Sequence, residues 1–482
     1  MCAEPIGMAR FFQVQNIAVI GASERGLYPA GILQNLIQFE FPGKIFPVNP
    51  KYESVFGLDC YPNLNQIPVQ VEVAIIVVNR DRVFDLVQQC IDANVKAILI
   101  ISAGFAESDP QGEKIQEELR ALIAASDVAV LGPNCAGYAD LSGGLIATRL
   151  PGACLQGGMS FISQSGALMM ALFGVFCDEQ IGMNKLISVG NQMDLDLGDG
   201  LIYLAQDKST QVIGSFIEGI NDGQGFKHGL ESALLAGKPI VLVKSGRTQS
   251  GQKAAATHTA AVSGSDRVFQ AVCEQFGATL VEDVQPMLHL LKIQLTFGNR
   301  LADFKRFMVV TQSGGMGSLA ADCLEREGLQ LAEISPGLNR SLKHVPHLAA
   351  VTHWHNPADV RGTSLRGDAT MQTLLPFFED ERSDLVLLLL ARTTIQEQDH
   401  ETAQAIIVAA QKTKKPLLVV WVGQHLNSSD QANSSAIQLL TQANIPVFDQ
   451  VSDAVKALSE ACRYWQYRSR YLLHYAEEEA RL

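Results

Sequence analysis

The 482-residue sequence predicts an α/β protein made of three successive units, each a parallel sheet covered by helices. Three observations predict it. Apolar runs of strand length alternate with segments whose apolar residues recur every three to four positions. Those runs are continuously apolar instead of alternating, as strands buried on both faces are. Forty glycines are present, many at strand-to-helix junctions where the chain must turn sharply or approach a ligand closely.

The first unit opens with NIAVIGASERGLYPAGILQNLIQ. A strand from Ile17 to Ile20 runs into Gly21-Ala22-Ser23, followed by a helical pattern carrying Ile32, Leu33, Leu36 and Ile37. The runs KIFPVNP, VEVAIIVV, KAILIISAG and VAVLGPN continue a doubly wound sheet expected to span 1–150. After the Gly- and Pro-containing join LPGACLQGG, a second unit over 151–297 repeats the scheme from MSFISQSGALMMALFGVF, with strands at LISVGN, VIGSFIEG and PIVLVKSG. A third, over 303–460, opens with FKRFMVVTQSGGMGSLAA, whose strand and turn are similar to the second unit's. The tail, 461–482, is expected to form an amphipathic helix.

Composition narrows the function. An apolar fraction of 47% with 18% charged residues is that of a globular chain. A formal charge of −13, without a clustered basic stretch, argues against nucleic acid. The nine cysteines are scattered singly with no CxxC pair, so no metal site is expected and a reducing cytoplasmic setting is. The N-terminal MCAEPIGMARFF lacks the pattern of a secretory signal, and the apolar runs fall short of a membrane span.

A glycine turn between strand and helix presents backbone N–H groups beside the positive end of the helix dipole, which suits an anion. Such turns are expected at Gly21, at Gln164-Ser165-Gly166 and at Gly314-Gly315. The first lacks GxGxxG spacing, and its second strand ends in Asn49-Pro50-Lys51 instead of an acidic residue, so NAD is disfavoured. The QSG turns precede helices that begin with small residues, and two of them aimed at one point would stabilise a phosphate strongly. One histidine of ten stands out. His258 lies in GRTQSGQKAAATHTAAVSGSD, too small and polar a stretch for a core face. A neutral imidazole can attack phosphorus if an acceptor fixes its other nitrogen. Glu218, closing VIGSFIEG, is a candidate acceptor.

Taken in order, GAS, PVNPK, SAGFAE, GPNCAGY, ISQSGAL, IEG, KSGR, THTAAVSGSD and NPADVRG resemble the α subunit of ADP-forming acetyl-CoA (acyl-CoA) synthetases, and more distantly that of succinyl-CoA synthetase. The resemblance implies an N-terminal Rossmann-like CoA-binding domain followed by two flavodoxin-like domains. It implies CoA contacts at Gly21, Ala22, Ser23, Glu24, Asn49, Lys51, Ser102, Gly104, Asn134 and Cys135. His258 matches the phosphorylated histidine and Glu218 its carboxylate partner, with phosphate between the helices that follow Gln164-Ser165-Gly166 and Gly314-Gly315. No Walker-type loop is present, so ADP or ATP with Mg²⁺ is expected on a partner ATP-grasp β subunit. Ala260 and Ala136 depart from the family's usual residues. An inactive CoA-binding regulatory or scaffolding protein of the same fold is the competing expectation.

Overall fold

The computed structural model describes residues 7–256, 265–351, 353–391, 396–423 and 431–479. His258 and Ala260 lie outside the described residues. Two compact units form, Met1–Met287 and Leu288–Leu482. The first holds two sheets, so the first two expected units fold as one body.

Its N-terminal sheet has the order β2-β1-β5-β6-β7, formed by β1 (Asn16–Ile20), β2 (Lys44–Val48), β5 (Val73–Ile76), β6 (Ala97–Ile100) and β7 (Ala129–Leu131). A small hairpin, β3 (Ser54–Val55) with β4 (Leu58–Asp59), stands apart. Helices α1 (Leu27–Gln38), α2 (Val83–Asp92) and α3 (Pro110–Ala124) connect the strands. Successive strand residues point to opposite faces. Ile17 and Val19 therefore enter one core and Ala18 and Ile20 another, as a doubly wound sheet requires.

The second sheet has the order β14-β13-β12-β10-β11-β8-β9. Its parallel strands are β10 (Gln156–Ser163), β11 (Met183–Ser188), β12 (Val212–Ile217), β13 (Ile240–Lys244) and β14 (Thr279–Val281). Between and beyond them run α4 (Gly166–Asp178), α5 (Leu197–Gln206), α6 (Gly223–Ala236), α7 (Gln249–Ala256), α8 (Asp266–Gln275) and α9 (Val284–Phe297). Two further strands, β8 (Gly137–Asp140) and β9 (Leu145–Thr148), fall within the span expected for the N-terminal unit. They instead join this sheet, β8 pairing antiparallel with β11. GYAD-LSGG-LIAT is a hairpin whose turn is closed by Asp140, which accepts from the N–H groups of Ser142 and Gly143. One buried cluster joins Ile17 and Val19 of the first sheet to Tyr138, Ile162, Ile187, Ile213 and Leu242 of the second.

The C-terminal unit carries one six-stranded sheet, order β16-β15-β18-β19-β20, with β17 paired to the end of β15. The strands are β15 (Arg306–Thr311), β16 (Gln330–Leu331), β17 (Ala358–Asp359), β18 (Leu385–Ala391), β19 (Leu417–Val422) and β20 (Val447–Phe448). Its helices are α10 (Gly314–Arg326), α11 (Pro336–Lys343), α12 (Asp368–Glu379), α13 (Gln396–Gln411), α14 (Gln431–Gln442) and α15 (Val451–Glu479). The expected tail helix thus starts ten residues early, at Val451. Its first half is anchored within this unit. Trp465 donates to Gln294 at 2.8 Å and Ser459 donates to the Glu327 carbonyl at 3.1 Å.

In each of these sheets the first of the parallel strands has its successor on one side and a later strand on the other. β1 lies between β2 and β5, β10 between β11 and β12, β15 between β16 and β18. Such switch points leave a crevice at the carboxyl ends of the strands, where ligands of α/β proteins bind. All three glycine turns fall there.

Candidate active site

At the first switch point a Cβ on Gly21 would lie 2.3 Å from the Val77 carbonyl oxygen, and its φ is +91°, so only glycine fits. The turn differs from the expected arrangement. The N–H groups of Gly21 and Ala22 both donate to the Val48 carbonyl, and α1 starts only at Leu27, so these amides are not left open for an anion. Ser23 accepts from Arg25 N–H, and Glu24 accepts from Phe56 N–H at 2.8 Å. Asn49 donates to the Ala22 carbonyl and accepts from Lys51 N–H, while the Lys51 side chain is exposed. Beside them lies a cavity of about 130 Å³ whose lining includes Gly21, Asn49, Pro50, Arg82, Gln89 and Cys90. Arg82 and Gln89 carry no motif of their own and were not anticipated.

The SAGFAE and GPNC segments meet at Asn191, to which no role was assigned from the sequence. Asn191 donates to Glu107 at 2.6 Å and to Gln116 at 2.9 Å, accepts from Asn134 at 3.2 Å, and its N–H reaches the Pro133 carbonyl. Glu107 also accepts from Gly104 N–H at 2.6 Å, and Arg80 donates to the Gly104 carbonyl. Ser102 donates to the Val78 carbonyl at 2.6 Å, and its own carbonyl accepts from Asn134 N–H. Cys135 is buried, and desolvation pushes its thiol up to about 12, leaving it protonated and a poor nucleophile near neutrality.

Ala136, next in line, touches the start of α4. A Cβ on Gly166 would lie 2.8 Å from the Ala136 Cβ and 3.1 Å from its nitrogen. The structure therefore brings the GPNC segment and the first QSG turn together. In that turn Ser163 Oγ donates to the Ser165 carbonyl and accepts from Ser165 N–H, and Ser165 Oγ caps α4 by accepting from Leu168 N–H. Gln164 spans the switch point. Its Oε1 accepts from the N–H groups of Glu218 and Gly219, and its Nε2 donates to the Gly219 carbonyl at 2.8 Å. Half-buried Glu218 follows β12 directly. Gln164, Ser165, Gly166 and Glu218 thus share one crevice.

The chain on either side of 257–264 is tied down at Asp266, the first residue of α8. Arg247 pairs with it at 3.3 Å and Lys244 at 3.9 Å. Burial pushes the Lys244 ammonium below its usual value, and Asp266 offsets part of that shift. Lys244 and Arg247 of KSGR therefore meet Asp266, the last residue of SGSD.

In the C-terminal unit the second QSG turn repeats the strand-end hydroxyl bonds and the glutamine tie of the first, without its serine cap. Thr311 Oγ1 donates to the Ser313 carbonyl and accepts from Ser313 N–H, and Gln312 Nε2 donates to the Ala391 carbonyl at 3.1 Å. Gly314 and Gly315 begin α10 and are exposed. The Asp359 carboxylate stands 3.2 Å from where a Gly314 Cβ would be. Among the described residues no group of three or more His, Cys, Asp or Glu is arranged to hold a metal, and no helix is long and apolar enough to cross a membrane.

Comparison with known proteins accounts for this assembly. Residues 15–140 match a CoA binding domain family, and residues 156–294 match a succinyl-CoA ligase like flavodoxin domain family. The chain is 34% identical over 460 residues to acetate–CoA ligase [ADP-forming] I of Archaeoglobus fulgidus, covering 95% of this chain and 64% of that longer protein. It is 32% identical over 452 residues to the α subunit of acetate–CoA ligase [ADP-forming] II of Pyrococcus furiosus, covering 93% of this chain and 95% of that one. The solved structure of the dinucleotide forming acetyl-coenzyme A synthetase 1 of Ca. Korarchaeum cryptofilum, in complex with phosphate and ADP, superposes with a TM-score of 0.85 at 31% identity, covering 96% and 98% of the two chains. With a CoA-binding sheet, a ligase sheet beside it and relatives of matching length, the chain belongs to the family of ADP-forming acetate–CoA ligases, which are acid–thiol ligases.

Proposed function

We propose that this chain is the CoA-binding and phosphoryl-carrying component, the α part, of a reversible ADP-forming acyl-CoA synthetase. CoA occupies the domain within 1–150, and His258 in the domain of 151–297 carries the phosphoryl group. Nucleotide and Mg²⁺ belong to an ATP-grasp partner chain. The observation that carries this reading is the contact of Ala136 with Gly166. It puts the segment after Asn134 and Cys135, where the thioester is expected, against the N-terminus of α4.

Inorganic phosphate attacks the thioester carbonyl, the C–S bond breaks, and CoA leaves as a thiolate that takes up a proton. The N–H groups at the start of α4 face the charge on the acyl phosphate so formed. A neutral His258 nitrogen then attacks phosphorus, and the P–O bond to the acyl group breaks to release the carboxylate. The other imidazole nitrogen keeps its proton, which Glu218 accepts in a hydrogen bond, holding the tautomer and stabilising the positive ring. ADP on the partner attacks the phosphohistidine, the P–N bond breaks, and ATP forms. Each step runs in both directions because P–N and acyl-phosphate bonds are both high in transfer potential.

The test is incubation of the purified full-length chain with acetyl-CoA and radiolabelled phosphate. Acid-labile, base-stable label on the wild type and none on His258→Ala is expected. An unlabelled wild type that still binds CoA would leave the regulatory reading standing instead. Recovery of an ATP-grasp protein with the chain from its native source tests the partner.

A further inference from the structure

We infer that Gln164 is a positioning residue for Glu218 and not a ligand of phosphate, an inference that rests on the phosphohistidine reading above. Gln164 is 7% exposed, and its amide is spent on one target, the two residues that follow β12. Oε1 accepts from Glu218 N–H and Gly219 N–H, and Nε2 donates to the Gly219 carbonyl. Its backbone N–H donates to the Phe216 carbonyl at 3.2 Å. A primary amide has two donors and one carbonyl with two lone pairs, so both acceptor sites and one donor are committed. What remains is a single N–H, which cannot serve as the anion cradle the sequence suggested.

The geometry explains what the residue is for. β10 and β12 are neighbours, but their ladder ends at Ser163 and Phe216. On its other side β12 is held by β13 as far as Ile217, whose carbonyl accepts from Ser245 N–H, so Glu218 and Gly219 lie past the end of both ladders. The Gln164 amide extends the ladder by one side-chain rung, and the residue it holds is the one bearing the carboxylate. Gln312 makes a comparable tie to Ala391 at the end of β18, where the tied residue has no polar side chain. The rung is therefore a property of the turn. In the first unit it has a carboxylate to aim.

A shift of about 1 Å in a reacting group costs up to roughly a hundredfold in rate. In the full-length chain, Gln164→Met is expected to slow formation of the acid-labile label by about ten- to a hundredfold, with the KM for acetyl-CoA changed less than about twofold. The deciding measurement is a double-variant cycle with Glu218→Asp, which keeps a carboxylate on a shorter arm and so a measurable rate. If Gln164 acts through Glu218, the double variant labels no more slowly than Glu218→Asp alone. Full additivity, or wild-type labelling by Gln164→Met, overturns the inference. Should Gln164→Met fail to bind CoA, Gln164→Glu, which keeps the two acceptor bonds and loses the donor, enters the same cycle, where non-additivity supports the inference and additivity overturns it. A wild type that never acquires label defeats the phosphohistidine reading itself, and the inference falls with it. A labelled wild type beside an unaffected Gln164 variant defeats the inference alone.

Discussion

Two turns in this protein are spelled almost alike and closed by the same hydroxyl bonds, yet they sit in different surroundings. Ser163-Gln164-Ser165-Gly166 and Thr311-Gln312-Ser313-Gly314 each use a strand-end hydroxyl to close the turn and a glutamine to reach the adjacent strand. Around the first, Ala136 covers the helix start and Ser165 caps it. Around the second, Gly314 and Gly315 are exposed, Asp359 stands nearby, and Ser313 makes no side-chain cap bond. Local sequence sets the turn. What packs on it comes from distant segments, and that decides whether the helix start is walled or open.

The contrast is open to test. Gly166→Ala should show the largest difference. Its methyl must enter space held by the Ala136 backbone nitrogen and Cβ, an overpacking worth about 1–3 kcal/mol. Gly314→Ala, facing only the far end of the Asp359 side chain, should change stability by less than about 1 kcal/mol and gain some helix propensity. Urea denaturation of both variants measures the gap, and equal losses would show that the walled-versus-open distinction is wrong.

A third helix start sharpens the contrast through pH. Asp196 caps α5 by accepting from Asp199 N–H, and burial pushes its carboxyl up to about 6. A carboxyl whose folded value exceeds its unfolded value of 3.8 favours folding when protonated, so its contribution declines as pH rises from about 4 to about 6 and is flat above. Asp196→Asn keeps the acceptor and removes the titration. The difference in melting temperature between wild type and variant should therefore move in the variant's favour across that interval. A difference independent of pH would mean that the Asp196 carboxyl is not raised.

The smallest expected effect concerns the caps. Ser165→Ala should lose about 1 kcal/mol, because Leu168 N–H loses its partner, while Ser313→Ala should lose only a few tenths. Equal losses at the two serines would erase this part of the comparison.

Much of this was legible in the residues. Continuous apolar strands announced buried parallel sheets, and the QSG spelling announced two related turns. Local patterns failed where long-range pairing decides the outcome. The GYAD-LSGG-LIAT hairpin has no local mark that assigns it to the later sheet, because that choice depends on β11, more than forty residues on. Asn191 is a similar case: the GN that closes LISVGN gives no sign of its partners until Glu107, Gln116 and Asn134 converge on it. Gln164 stood in a turn that suggested an anion, and only the position of β12 shows that its amide is already spent. At the first turn too, only the position of β2 shows that the amides of Gly21 and Ala22 are taken up by the Val48 carbonyl.

The β8–β9 hairpin has one more implication. The chain leaves the N-terminal sheet at Leu131, and by Gly137 it is already a strand of the next one, while a shared apolar cluster spans both. An engineer seeking to transplant the nucleotide-handle module onto another scaffold would find no clean seam at the glycine-rich join near residue 150. Cutting there would carry away two strands from a neighbour's edge and expose Tyr138 with them. The passage from one sheet to the other is confined to the short stretch between residues 131 and 137.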